Sequence, residues 1–392
     1  MSEWKCYKLS EISSLSNGIN FDKSAYTRGV KLIGVSDFKN RIHPDYDSLQ
    51  EVDSKVVKSG DYLEKGDIVF VRSNGNKELV GRCMMIDRHI PVTYSGFCIK
   101  LRFKDKKLFE PAFFNYMFRT RHFKKSMTGT AVGANIQNLS QSRLGNCEVN
   151  VPDIETQKRI ATILSRYDSL IENYQKQIKL LEEAAQRLYK EWFVDLHFPD
   201  HENTKIVDGV PEGWEKKKIG DVVVYYDKQR KPLSSMQRMN MEKIYPYYGA
   251  AALMDYVDSY LFDGIYLLLG EDGTVITPDN FPVLQYVWGK FWVNNHAHVL
   301  RGKDGISTEF LYSMFKEMPI ADVVTGAAQP KISQGRLSDK KILMPSLGLI
   351  QEWSGIAKHY FGRIRVITEQ IRLLTEARDR LLPKLMSGEI AV

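Results

Sequence analysis

Apolar positions along this 392-residue chain follow two patterns. In the first, Ile160, Leu164, Tyr167, Ile171, Tyr174, Ile178, Leu181, Ala185 and Leu188 recur at alternating steps of four and three, a heptad seam held for four heptads. Trp353, Ala357, Tyr360, Ile364, Ile367, Ile371, Leu374, Arg378 and Leu381 repeat it with one charged residue on the seam. This spacing predicts two helices of roughly 33 residues, about 50 Å long at ~1.5 Å per residue. Pro152 and Pro345 stand just before them, and Pro199 and Pro383 at or beyond their ends. One apolar stripe needs a partner, and two copies supply each other. A folded segment between them favours antiparallel pairing; the alternative is two helices packed on separate domains.

The second pattern is short. Residues 1–150 and 214–345 carry runs rich in Val, Ile, Tyr and Phe, such as Asp67-Ile68-Val69-Phe70-Val71, punctuated by Gly, Asn and Asp. Each predicts a mixed α/β domain dominated by a curved sheet. Residues 109–125 and 308–318 have helical spacing, and 194–213, with Pro199, Gly209, Pro211 and Gly213, reads as a linker.

The chain repeats itself. LSQSRLGNCEVNVP at 139–152 matches ISQGRLSDKKILMP at 332–345, and the same offset continues to QIKLLEEAAQRL (177–188) and QIRLLTEARDRL (370–381). Sixteen of those 50 positions are identical, where chance gives about three. Trp4, Leu9, Glu11 and Ile12 echo Trp214, Ile219, Asp221 and Val222, and the Thr-Gly pairs at 128 and 325 fall in matching places. Between these anchors the halves hardly align, so a shared frame carries two diverged inserts.

Composition narrows the class. Hydrophobic residues are 43% and charged residues 26%, ordinary for a water-soluble protein of two or three domains. No apolar run approaches a membrane span, and MSEWKCYKLSE carries no signal-peptide pattern. Cys6, Cys83, Cys98 and Cys147 are too scattered for a zinc site and fit free thiols in the cytoplasm. The net charge is +7, unevenly spread: residues 1–138 hold 23 Lys+Arg against 15 Asp+Glu, residues 214–331 hold 13 against 14. The first insert attracts a polyanion as a body; the second does so only through local clusters.

Catalytic motifs are weak. There is no Gly-x-x-x-x-Gly-Lys-Ser/Thr loop, no Gly-x-Gly-x-x-Gly turn and no Asn-Pro-Pro-Tyr-like turn, against a nucleotide-driven motor or base methylation in this chain. Pro44-Asp45 with Asp53-Ser54-Lys55 superficially resembles a nuclease cluster, without a supporting signal. His197 and His201 flank Pro199, and His296 and His298 would face one side of a strand; neither pair has a further ligand set, so no metal is expected.

The positive signals suit nucleic acid. Arg119, Arg121, His122, Lys124 and Lys125 crowd a helix end, a sequence-independent phosphate contact or else a solvated face. VRSNGNKELVG at 71–81 presents Arg72, Asn74, Asn76 and Lys77 after a strand, and Arg and Asn can read guanine and adenine edges. An ordinary polar hairpin has the same composition. Lys228, Arg230 and Lys231 form a second basic cluster, with Asn294, Asn295 and His296 as further polar candidates. Before each resumption of the frame, Asn135 and Gln137, then Gln329 and Lys331, offer polar edges among small residues. Trp192, Phe193 and Trp353 suggest a surface meant for partners.

In order along the chain, Trp4-Leu9-Ile12, Gly66-Asp67-Ile68 before Arg72, LSQSRL before Val151-Pro152, and Trp192-Phe193-Val194-Asp195 form one series. Gly209-Val210-Pro211-Glu212-Gly213-Trp214, Tyr248-Gly249-Ala250, LLLGEDGTV at 267–275 and Leu385-Met386-Ser387-Gly388 continue it. This series resembles the DNA specificity subunits of type I restriction-modification systems over essentially the whole chain. The resemblance implies an α+β fold: two mixed α/β target recognition domains separated by two long antiparallel coiled-coil helices, with a pseudo-twofold internal repeat. It implies a target recognition domain at 1–150, a central helix at 151–193, a linker at 194–213, a second recognition domain at 214–346, and a terminal helix and tail at 347–392. It further implies a non-catalytic cytoplasmic subunit, each recognition domain reading half of a bipartite asymmetric site on double-stranded DNA. The helices would set the spacer and dock two methyltransferase (modification) subunits, with restriction (endonuclease) subunits joining. S-adenosylmethionine, ATP and magnesium would belong to those partners, and no cofactor to this chain. The rival is a coiled-coil interaction scaffold without sequence-specific readout.

Overall fold

In the computed structural model, which describes residues 4–38, 41–73, 79–128, 138–326 and 329–392, both heptad segments are helices of 40 residues, Ile154–Phe193 and Leu347–Met386. At ~1.5 Å per residue each is about 60 Å long, two turns longer than the seam alone indicates. The starts are capped: the Asp153 carboxylate accepts from Thr156 N at 2.9 Å and Thr156 Oγ1 at 2.8 Å, and Ser346 Oγ accepts from Leu349 N at 3.4 Å. The ends differ from expectation. Pro383 lies inside the second helix, because a proline in the last turn forgoes only one backbone donor where the chain is already exposed. Trp192, Phe193 and Trp353 are buried, not a partner surface: Tyr189 packs edge-on against Trp353 at 5.8 Å and Phe193 against Phe310 at 5.3 Å. This aromatic cluster carries the first helix beyond Leu188.

The chain divides into two compact units, residues 1–173 with 371–392 and residues 174–370, so each unit takes one end of each long helix. In the first unit, Ser13–Asn17, Cys98–Phe103, Ile68–Val71 and Cys83–Met85 form an antiparallel sheet in that order. Beside it, Tyr26–Ile33 pairs antiparallel with Gln50–Val52 and parallel with Val92–Tyr94. The Gly66-Asp67 lead into the strand Ile68–Val71 has a physical cause. Gly66 takes φ +92°, open to glycine, and buried Asp67 accepts a two-pronged pair from Arg102 at 2.8 and 2.7 Å. Phe113, Phe114 and Phe118 cover the sheet, and Ile160, Ala161 and Leu164 of the first helix join Leu385 of the second in the same core.

In the second unit, strands Val223–Tyr225, Ala297–Gly302, Phe262–Gly270, Leu284–Val293, Tyr245–Tyr248 and Leu253–Val257 make one six-stranded sheet in that order. Only Tyr245–Tyr248 and Leu284–Val293 run parallel. Ala185, Tyr189, Trp192 and Phe193 share its core with Ile350, Trp353, Ala357 and Phe361. In each unit the two long helices run in opposite directions.

The internal repeat is explicit in backbone terms. The Lys5–Lys8 strand pairs with Glu148–Val151, and Glu215–Lys218 with Lys341–Met344. The repeated Ser-Gln-x-Arg-Leu motif caps a short helix twice: Ser140 Oγ accepts from Arg143 N at 3.1 Å and Ser333 Oγ from Arg336 N at 3.4 Å, while Leu144 and Leu337 are buried.

One seam position breaks the likeness. In the first unit Arg378 donates to Asp168 at 2.5 Å and Tyr116 to the other Asp168 oxygen at 2.6 Å, inside the helix contact. At the repeat offset, the second unit holds Ala185 and Phe361, both buried. Removing one partner of a buried ion pair strands the other. Arg378→Ala should therefore lower unfolding stability by on the order of 3 kcal/mol, read from the urea midpoint. The double change Asp168→Phe with Arg378→Ala, copying the apolar pair, should recover most of it. An Arg378→Ala protein with the parent's midpoint would contradict this role.

Candidate nucleic-acid interface

The strands of both inserts end in the same hydrogen-bonded corner. In the second unit Gly270 pairs with Ala297; Glu271 N and Asp272 N then donate to the His296 carbonyl at 2.8 and 3.4 Å, and Ile332 N to the Glu271 carbonyl at 2.9 Å. In the first unit Val71 pairs with Cys98; Arg72 N and Ser73 N donate to the Phe97 carbonyl at 2.8 and 3.3 Å, and Leu139 N to the Arg72 carbonyl at 2.7 Å. Even the isolated bridges correspond, Asp272 with Lys331 and Ser73 with Asn138. The side chains on this common backbone are unrelated: Arg72, Ser73, Phe97 and Asn138 in one, Glu271, Asp272, His296 and Lys331 in the other.

The second corner gathers most of the sequence candidates there. Lys228, Lys231, Asn295 and Gln329 have exposed side chains, and Lys231 is fixed through its backbone, its carbonyl accepting from Trp292 Nε1 at 2.6 Å. Arg230 turns inward. Its side chain is 12% exposed, with Nη1 2.6 Å from Glu271 Oε2 and 2.6 Å from the Ala297 carbonyl. His298 is buried, Nδ1 2.6 Å from Asp227 and Nε2 2.9 Å from the Ile332 carbonyl. His296 stands outside the strand and half exposed, with Asp272 at 3.6 Å, so the two rings do not share a strand face: the strand begins only at Ala297. Asn294 is buried, and its Oδ1 accepts from His296 N at 2.9 Å to hold the turn. Lys331 lies 3.3 Å from Asp272 and 3.6 Å from Glu271. The hydrogen bond and charge of Asp272 raise its pKa above the ordinary lysine value. Contrary to the sequence reading, His298 does have further possible ligand atoms beside it, from Asp227 and Glu271; Arg230 and Lys331 pair with the same acids.

In the first unit, Arg72 is half-buried with Nη1 3.4 Å from the Gly96 carbonyl. Arg121, Lys124 and Lys125 are exposed on the helix Arg121–Thr128, whose Phe123 and Met127 are buried. Arg119 faces in, donating to the carbonyls of Arg41 and Cys83. Asn74, Asn76, Lys77, Asn135 and Gln137 lie outside the described residues. The nuclease-like acids serve local structure: Asp45 pairs with Arg41 at 2.8 Å, and Asp53 caps a turn through Lys55 N at 2.9 Å. Sequence reasoning missed Phe97, 63% exposed, whose signal was an aromatic following Ser-Gly between two strands. It also passed over Glu271 and Asp272 as charge partners of its basic candidates.

A family model described as the type I restriction modification DNA specificity domain matches residues 1–183 and 211–372. The type I restriction enzyme MjaIX specificity subunit of Methanocaldococcus jannaschii is 27% identical over 301 residues, covering 71% of this chain and 68% of that one. The type I restriction enzyme HindI specificity subunit of Haemophilus influenzae is 22% identical, with all of both chains covered. Among solved structures, a type I restriction-modification system S subunit from M. genitalium superposes with a TM-score of 0.59 at 17% identity, over 98% of this chain and 96% of that one.

The inward and outward basic residues should separate by stability. Arg230→Ala should cost on the order of 2–3 kcal/mol by stranding Glu271 and Asp227, whereas Lys228→Ala and Lys231→Ala should stay within about 0.5 kcal/mol of the parent, all read by urea titration. An Arg230→Ala chain as stable as the parent would refute the inward assignment.

Proposed function

The chain belongs to the type I restriction-modification DNA specificity family, and from that premise we propose how it works: each insert reads one half of a split, asymmetric site on double-stranded DNA, and the long helices set the unread spacer. The observation that carries this is the doubled corner, one backbone frame built twice with different side chains. A fixed frame with exchangeable groups is what two independent half-site readers need. Exposed Lys228, Lys231, Arg121, Lys124 and Lys125 supply phosphate contacts, and groups at the strand ends face base edges. The recognition domains span 1–150 and 214–346, joined through the helices 151–193 and 347–392 and the linker 194–213.

The chain itself carries no catalysis in this reading. It positions DNA for modification subunits that use S-adenosylmethionine, and for restriction subunits that use ATP and magnesium, in the cytoplasm. No helix among the described residues is long and apolar enough to cross a membrane. Two copies of the modification subunit are supported by a partly solvent-exposed stretch that recurs in both long helices. Gln177, Leu180, Glu183, Ala184 and Arg187 recur unchanged as Gln370, Leu373, Glu376, Ala377 and Arg380. Leu180 is 63% and Leu373 50% exposed, so internal packing does not demand that identity, and nearby Asn173 and Lys176 have diverged to Val366 and Glu369. Two equal surfaces suit two equal partners.

Replacing residues 214–331 with the corresponding insert of another family member should change one half of the methylated motif and leave the other half and the spacer length intact, as read by sequencing for methylated adenine. Both halves changing together would refute modular readout. Leu180→Glu and Leu373→Glu should each remove one modification subunit from the complex, measured by native mass spectrometry. A full complement in both variants would overturn the docking assignment.

A further inference from the structure

Phe97 is the most exposed aromatic ring at either corner, and its backbone is held from every side. Cys98 N donates to the Ser95 carbonyl at 2.9 Å, Gly96 N to the Ile19 carbonyl at 2.7 Å, and Phe97 N to Ser95 Oγ at 3.3 Å. The Phe97 carbonyl accepts from both Arg72 N and Ser73 N. The ring therefore projects from a rigid base while remaining 63% exposed. A lone exposed apolar side chain is ordinary. Here, however, the second unit places another exposed ring, His296, at the position that the same backbone bonds define. Two diverged inserts thus each present a ring at one corner, whose backbone is shared with Arg72, Ser73 and Asn138 in the first and with Glu271, Asp272 and Lys331 in the second.

We propose that this corner determines specificity, and that Phe97 reads the C5-methyl group of a thymine in the half-site bound by the first unit. The inference rests on the half-site reading above and adds one base contact to it. A phenyl ring neither donates nor accepts a conventional hydrogen bond. On the major-groove edges of base pairs, the thymine methyl is the apolar feature available to it. Stacking on a base instead would first require unstacking the duplex, at a cost of a few kcal/mol. His296, which can donate or accept, reads a polar base edge from the equivalent place. Exchange of one ring for the other changes the preferred base without changing the backbone that holds it.

The test uses the chain assembled with its modification subunits, and duplexes carrying the methylated motif with deoxyuridine replacing each thymine of the first half-site in turn. One replacement should weaken the parent complex about four-fold, the effect of one buried methyl at ~0.8 kcal/mol. Phe97→Ala should bind the thymine and deoxyuridine duplexes equally, and Phe97→Leu should keep part of the discrimination. His296→Ala should leave it intact. The proposal falls if Phe97→Ala still discriminates as the parent does, or if no replacement in that half-site affects the parent. A parent complex that binds motif and non-motif duplexes alike would overturn both this proposal and the half-site reading beneath it.

Discussion

The last 22 residues of the chain have to return to the unit that the first 173 began. Without Leu385 in its core and Arg378 against Asp168, the first unit would leave the start of its long helix with an open apolar flank and a buried carboxylate. The second unit is constrained in the same way by the two helix ends that it receives, through Trp192, Phe193 and Trp353. The first unit is thus not one stretch of sequence but is completed only when residues 371–392 return to it. Each is finished by helices that also belong to the other, and changes within an insert must respect helix faces that are not its own.

Within that constraint, the frame and the corner obey different rules. The frame is made of backbone hydrogen bonds, capping serines and buried leucines, which tolerate little change. The corner sits on backbone that is already satisfied, so its side chains are free to differ, and they do: Arg72 stands where the second unit has Glu271, and Phe97 where it has His296. The second corner is locally charge-matched. Arg230 and Lys331 are matched to Glu271, Asp272 and Asp227, which stiffens the corner. The lysines at 228 and 231 remain exposed.

Much of this was legible in the sequence because it is periodic or repeated. The heptad steps located both long helices, and the repeat at a fixed offset located the frame, though not the capping role of its serines. The odd seam residue Arg378 stood out, but its partner Asp168 lies 210 positions away, beyond any local pattern. The same blindness misread Arg230, whose acid Glu271 is 41 residues distant; a basic cluster on paper included a cation already engaged inside. Trp192 and Trp353 looked like partner-facing aromatics because nothing local reveals that one helix's end packs on the other's beginning. Phe97 escaped notice because an exposed aromatic has no periodicity to betray it.

The central claim is that this chain confers a two-part DNA specificity on partners that perform the chemistry. Genome-wide mapping of methylated adenine in a host carrying the complete system, compared with the same host lacking only this chain, tests it most directly. The account predicts that one split, asymmetric motif with an unread spacer loses its methylation when the chain is removed and regains it on complementation. A methylation pattern unchanged by its removal, while the modification subunits are present and active, would contradict it.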